Sequence, residues 1–224
     1  MLDRKTIENN TIRFFRKAGG TRPDLRLVEY QDRKIIVKDF THSDFWFKNI
    51  VGPILIGRES KVMLRLKGVN GVPQFYGRID RYSLAMEYIP GKSLDNIPKE
   101  TLPNSFYHNL HKNIDEIHAR GIAHCDLRSR GNVILADDGS AYIIDYAASV
   151  LLGRGFNPLI RWLFNNFVMA DNNAVLRIKE RLSPELMSDI EIEELKKELP
   201  LEKQARIIGH GIRNITRRIL TNKK

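Results

Sequence analysis

Two short apolar runs, Val133-Ile134-Leu135 and Ala141-Tyr142-Ile143-Ile144, flank the turn residues Asp137-Asp138-Gly139 and read as a β-hairpin. This hairpin constrains the chain more than any other feature because of what stands at its open end. Asn132 precedes the first run and Asp145 follows the second. Antiparallel pairing brings those ends together, so an amide oxygen and a carboxylate can share a divalent cation. Mg²⁺ takes hard oxygen ligands, usually one or two carboxylates completed by substrate phosphates. Just upstream, His124-Cys125-Asp126-Leu127-Arg128-Ser129-Arg130-Gly131 leads into Asn132. Asp126 there is placed to accept the proton of an attacking hydroxyl.

The first half of the chain supplies matching groups. Residues 33–40 form a strand pattern in which Lys38 ends the β-branched run Ile35-Ile36-Val37, whereas Lys34 reads as a solvated edge charge. Residues 56–66 read as an amphipathic helix with Val62, Met63 and Leu66 on its apolar side. That helix carries Glu59, twenty-one residues after Lys38. Leu84-Ala85-Met86-Glu87-Tyr88-Ile89-Pro90-Gly91 reads as a strand running into a hinge. Between strand patterns at 11–15 and 25–30 lie Gly19 and Gly20, flanked by Arg16, Lys17 and Arg22. Adjacent glycines permit a tight turn and a close approach of backbone N–H groups to phosphate. An ordinary hairpin turn fits the same residues.

In this order, Lys38, Glu59, the hinge, Asp126, Asn132 and Asp145 resemble the protein-kinase-like superfamily, whose H-x-D…N loop is followed by a metal-binding Asp. The resemblance covers about residues 11–150. It implies an α+β, bilobal fold with a β-rich small lobe and a reduced, mainly helical large lobe. It also implies ATP with Mg²⁺ or Mn²⁺ as cofactors. Lys38 would hold the nucleotide phosphates with Glu59 as its orienting partner, and Arg128 would contact the γ-phosphate. The backbone of Glu87 and Ile89 would meet the adenine edge, with Met86 at the back of the pocket and Gly19-Gly20 over the phosphates. Asp126 would be the base, and Asn132 and Asp145 the metal ligands. Four departures point to a compact branch. Five residues separate Asp126 from Asn132, where the superfamily pattern has four. Cys125 replaces the Arg that reads an activation-loop phosphate, Tyr146-Ala147-Ala148 replaces Phe-Gly, and no A-P-E triplet follows. Such a chain is similar to RIO kinases, to the lipopolysaccharide-core (Kdo/heptose) kinases, and to the small kinase of the tRNA threonylcarbamoyl complex. The acceptor implied is a protein Ser/Thr in the first case and an envelope glycolipid sugar in the second. A nucleotide-binding pseudokinase is the alternative, and a basic RNA-binding protein without chemistry is a third.

Composition sets the frame around this site. The chain's 224 residues suit two small lobes, expected at 1–90 (hinge near 87–91) and 91–202, with a tail at 203–224. A single cysteine excludes an internal disulfide and points, with the absence of a signal peptide, to a cytoplasmic protein. Asn157 and Pro158 are expected to open a helix whose apolar residues wrap most of its circumference, the pattern of a buried helix. A second helix is expected to open at Asp171-Asn172-Asn173, with Asp171 either its cap or a brace for the catalytic loop. The tail carries seven Lys and Arg and no acid, leaving +3 of the +10 net charge for residues 1–202. Its stripe of Ile208, Ile212, Ile215 and Ile219 reads as an amphipathic helix docked on the large lobe. Its basic face suits an anionic membrane surface or RNA, and the first of these would seat the protein peripherally at the inner face of the cytoplasmic membrane.

Overall fold

A computed structural model describes residues 2–99, 102–153 and 157–197. The basic tail of residues 203–224, and the docking expected of it, lies outside the described residues. The chain opens on a short helix, α1 (Arg4–Asn9), capped by Asp3, whose carboxylate accepts the Thr6 N–H. Five strands follow: β1 (Thr11–Arg16), β2 (Asp24–Tyr30), β3 (Arg33–Asp39), β4 (Phe75–Arg78) and β5 (Ser83–Glu87). They form one antiparallel sheet in the order β1-β2-β3-β5-β4. Alternation along β3 and β5 divides their side chains between two cores. Val28, Ile35, Val37 and Ala85 meet Ile7 of α1 on one face. Leu84 and Met86 belong to the main core, together with Ile56, Val62 and Met63 of helix α2 (Gly52–Arg65). Lys38 pairs with Leu84, so it faces α2. The α-helical ladder begins four residues before the expected start, at Gly52-Pro53, continuing directly from a π-helical turn at Phe47–Val51.

The large lobe is mixed. Helix α3 (Asn104–Ala119) buries Phe106, Leu110, Ile114 and Ile117 along one side. Strand β6 (Gly91–Ser93) joins the expected hairpin, β8 (Val133–Ala136) with β9 (Ala141–Ile143), in a three-stranded sheet. Gly91 is needed where the hinge enters this sheet. Its φ is +153°, and a Cβ there would stand 2.3 Å from the Leu135 carbonyl oxygen. Strand β7 (Ile122–Ala123) pairs with β10 (Val150–Leu151), and the segment of residues 124–145 lies between them in sequence.

Two expectations for the following region are corrected. Asn157 does cap a helix, accepting the N–H groups of Leu159 and Ile160. However, that helix, α4 (Pro158–Leu182), runs unbroken for 25 residues, with no second start at Asp171. Nor is its first half buried, since Leu159 is 64% and Trp162 52% exposed. The second half docks through Ala174, Val175, Ile178 and Leu182. Helix α5 (Asp189–Lys196) ends the described fold, opened by a capping box between Ser188 and Glu191.

Candidate active site

Strand β3 and helix α2 converge on one ion-pair cluster. The Lys38 ammonium donates to Glu59 Oε2 and to Asp145 Oδ1, each at 2.8 Å, the second across 107 positions of sequence. Glu59, on an otherwise amphipathic helix, is 1% exposed, so its charge is tolerable only with this partner. Burial works against the Lys38 charge, but Glu59 and Asp145 overcome it and raise its pKa. Lys38 in turn is the main cause of the lowered pKa of Asp145. Burial raises the Glu59 pKa against the opposing pull of Lys38. The outcome is a fixed cation beside an ionised Asp145.

Asp145 itself has a left-handed backbone, φ +64°, ψ +72°. This turns the chain sharply from β9 into a 3₁₀ turn at Tyr146–Ala148. The loop of residues 124–132 reaches the same place from the other side. Asn132 Nδ2 donates to Asp126 Oδ2 at 3.0 Å and to the Asp126 carbonyl at 2.9 Å. The loop closes through a 3₁₀ turn at Arg130–Asn132, following the Ser129 N–H to Asp126 carbonyl bond at 3.3 Å. The amide nitrogen of Asn132 is thus spent on Asp126, leaving its oxygen for a cation. One carboxylate and one amide oxygen suit Mg²⁺, which keeps water and phosphate oxygens as its remaining ligands. Among the described residues no cluster of three or more His, Cys, Asp or Glu side chains gathers to hold a metal, as a dedicated protein cage would require. Asp126 and Arg128 lie exposed at the mouth of the loop.

Asp171 holds that loop in shape. From the middle of α4, at 1% exposure, it accepts the N–H groups of His124 at 2.6 Å and Cys125 at 2.9 Å. His118 Nε2 lies 3.1 Å away. Of the two roles read for Asp171, the brace is the one found. Sequence favours a cap because Asp-Asn-Asn is typical of helix starts and these side chains compete for the backbone inside helices. Here the side chain has spent that capacity on another segment. His124 is fully buried, takes the Asp126 N–H on Nδ1 (3.3 Å), donates Nε2–H to the Ile144 carbonyl (3.0 Å), and meets the Tyr146 ring edge-on. Burial, then the charge of Asp171, pushes the Cys125 thiol up to about 12, so it acts as filler rather than nucleophile.

At the opposite wall, the Gly19-Gly20 segment forms a tight hairpin turn, with Gly19 and Arg22 exchanging backbone bonds. The sheet register Arg16-Leu25-Lys38 carries this turn to the Lys38 end of the sheet. The N–H groups of Ala18, Gly19 and Arg22 are used internally, so any cradle for phosphate is narrower than a full glycine loop offers. In the hinge, the Glu87 N–H is bound to the Gln74 carbonyl at 2.8 Å, which leaves its carbonyl rather than its N–H for a ligand. Met86 and Ile89 are buried beside it.

Comparison with known proteins agrees with this fold. Residues 27–155 match the family model of the RIO domain. Two structures of the Rio2 kinase from Chaetomium thermophilum share the fold. One, an ADP/Mg²⁺-phosphoaspartate complex, aligns at TM-score 0.59 and 15% identity over 85% of this chain and 62% of that one. The other aligns at 0.58 and 15%, over 83% and 63%. The chain therefore spans less than two thirds of their length. No curated protein matches it.

Proposed function

The chain belongs to the RIO domain family, and on that premise we propose that it is an ATP-dependent phosphotransferase that delivers the γ-phosphoryl group to a hydroxyl acceptor. The observation that carries this is the Lys38 ammonium held between Glu59 and Asp145 at 2.8 Å from each. Phosphoryl transfer asks little covalent chemistry of a protein; it asks for position and for neutralised charge. Lys38, kept cationic and oriented by Glu59, offers its charge to the nucleotide phosphates. Asn132 and Asp145 would hold Mg²⁺ or Mn²⁺ through their side-chain oxygen atoms. Bound there, the cation would draw negative charge from the transferring group. Asp126, steered by the Asn132 amide, takes the proton of the attacking hydroxyl, and Arg128 presents a fork of donors to the γ-phosphate. Gly19-Gly20 covers the phosphates, while Met86, Glu87 and Ile89 line the adenine site. The Rio2 structure with ADP and Mg²⁺ supports the same nucleotide and metal for this chain.

A protein Ser/Thr acceptor is the first reading, as the family suggests. An envelope glycolipid sugar is the second, favoured by the exposed apolar start of α4 with its Trp162 and by a basic tail suited to anionic lipid. That reading seats the protein peripherally at the inner face of the cytoplasmic membrane. Among the described residues no helix is long and apolar enough to cross a membrane. Incubating the pure protein with γ-labelled ATP, Mg²⁺ or Mn²⁺, and separate protein and glycolipid fractions tests both. Label in one fraction assigns the acceptor class. Tight nucleotide binding with label in neither would make the chain a nucleotide-binding module.

A further inference from the structure

Helix α2 bears Arg58 and Arg65, seven residues apart. That interval places them on one side of the helix with about 10 Å between them along its axis. Arg58 Nη2 donates to the Ser149 carbonyl at 2.8 Å, and Arg65 Nη1 to the Leu152 carbonyl at 3.1 Å. These carbonyls belong to residues three apart in a segment that runs through β10, where the rise is also about 10 Å. Two turns of helix and three residues of strand thus have the same length, and two guanidinium groups span the gap in register. The segment is fixed on its far side as well. Val150 pairs with Ala123, Leu151 with Ile122, and the Leu152 N–H donates to the Gly121 carbonyl at 2.8 Å. Gly121 leaves room for the second arginine: its φ is +70°, and a Cβ would stand 2.9 Å from Arg65 Nη2.

We propose that Arg58 and Arg65 are positioning residues, a two-point clamp that docks α2 on residues 149–152 and so holds Glu59 against Lys38 without a phosphorylated loop. Arg58 directly precedes Glu59, and the clamped segment leaves the Asp145 turn within four residues. Sliding α2 away from the cleft must therefore break both carbonyl bonds before it separates Glu59 from Lys38. The consequence for transfer rests on the phosphotransferase reading, but the clamp itself is a conformational statement with its own reporter. Cys125, the single cysteine of the chain, lies half-buried beside this segment; its Sγ donates to the carbonyl of Ala123, the β7 residue that pairs with Val150, at 3.5 Å.

The test labels Cys125 of the folded full chain with iodoacetamide and measures transfer in parallel. In Arg58→Ala/Arg65→Ala, labelling should accelerate by roughly tenfold or more, because local opening no longer breaks two bonds to charged donors. Transfer should fall through kcat more than through KM for ATP, and Arg58→Lys, which keeps one donor, should recover part of both effects. Leu110→Ala, in the core of α3, serves as a control for general loss of stability. Parental labelling in the double variant, or acceleration no greater than in the Leu110 control at equal loss of Tm, overturns the clamp. Should the double variant not fold, Arg65→Ala alone carries the same test with the same criteria. If the parent transfers phosphate to nothing, the labelling still decides the clamp while the phosphotransferase reading alone falls.

Discussion

The two halves of α4 differ sharply in burial along one continuous helix. From Asp171 onward the helix is built into the candidate site, with one carboxylate bonded to the backbone N–H groups of His124 and Cys125 and an apolar side sunk in the core. Before Asp171, Leu159, Ile160, Trp162 and Met169 stand exposed on the same continuous helix. Helical propensity and apolar content do not separate the halves. What separates them is whether another element lies within reach, since burial is a property of the neighbour as much as of the residue. The inner half fixes the chemistry, and the outer half is surface available for the setting in which that chemistry runs.

The sharpest way to test this contrast is to strike the inner machinery. Asp126→Asn should lower turnover by about 10²–10⁴-fold, the usual worth of a positioned base, while leaving nucleotide affinity near the parental value. Asp145→Asn should also abolish most transfer but, unlike the first variant, weaken Mg²⁺-dependent ATP binding, because an anionic ligand is lost. Parental Mg²⁺-dependent ATP affinity in Asp145→Asn, or its loss in Asp126→Asn, would remove the assigned division of roles. Isothermal titration alongside the transfer assay separates them.

Next in size is the brace. Asp171→Ala leaves the buried N–H groups of His124 and Cys125 without their acceptor, at about 1–3 kcal/mol for each unsatisfied group. Urea denaturation should show that loss, with turnover falling as the loop slackens. Asp171→Asn, which keeps an acceptor oxygen, should lose less. A fully stable Asp171→Ala protein would mean that the two halves of α4 are alike after all.

The outer half should respond weakly. Replacing Leu159, Ile160 and Trp162 together by Ser should change stability within about 0.5 kcal/mol per site, the range for surface substitutions. If the acceptor is a glycolipid, the same variant should lose binding to anionic vesicles while retaining its melting transition. A large drop in stability would show that this surface is covered by another part of the chain. Smallest of all, phosphatase treatment before assay should leave activity unchanged. The 149–152 segment is already held by Arg58, Arg65 and β7, and Cys125 occupies the place of a phosphate-reading Arg. A substantial loss would reveal a regulatory phosphate elsewhere.

Local pattern alone determined the parts of this protein that rest on short-range physics. The β8–β9 hairpin follows from its apolar runs and Asp-Gly turn, the strand around Lys38 from β-branched residues, and the start of α4 from Asn157 and Pro158. Resemblance in the order Lys38, Glu59, Asp126, Asn132 and Asp145 then pointed to the protein-kinase-like superfamily, with the RIO kinases among three similar compact branches. Tertiary structure decided the rest, because the deciding partners are distant in sequence. Asp-Asn-Asn inside α4 looks like a helix start until the loop 46 and 47 residues upstream donates to Asp171. The two arginines of α2 look like ordinary solvated charges until Ser149 and Leu152 turn their carbonyls toward them. The apolar beginning of α4 reads as core because hydrophobicity records what a side chain gains by burial. Only the folded molecule supplies, or withholds, the surface against which it could be buried.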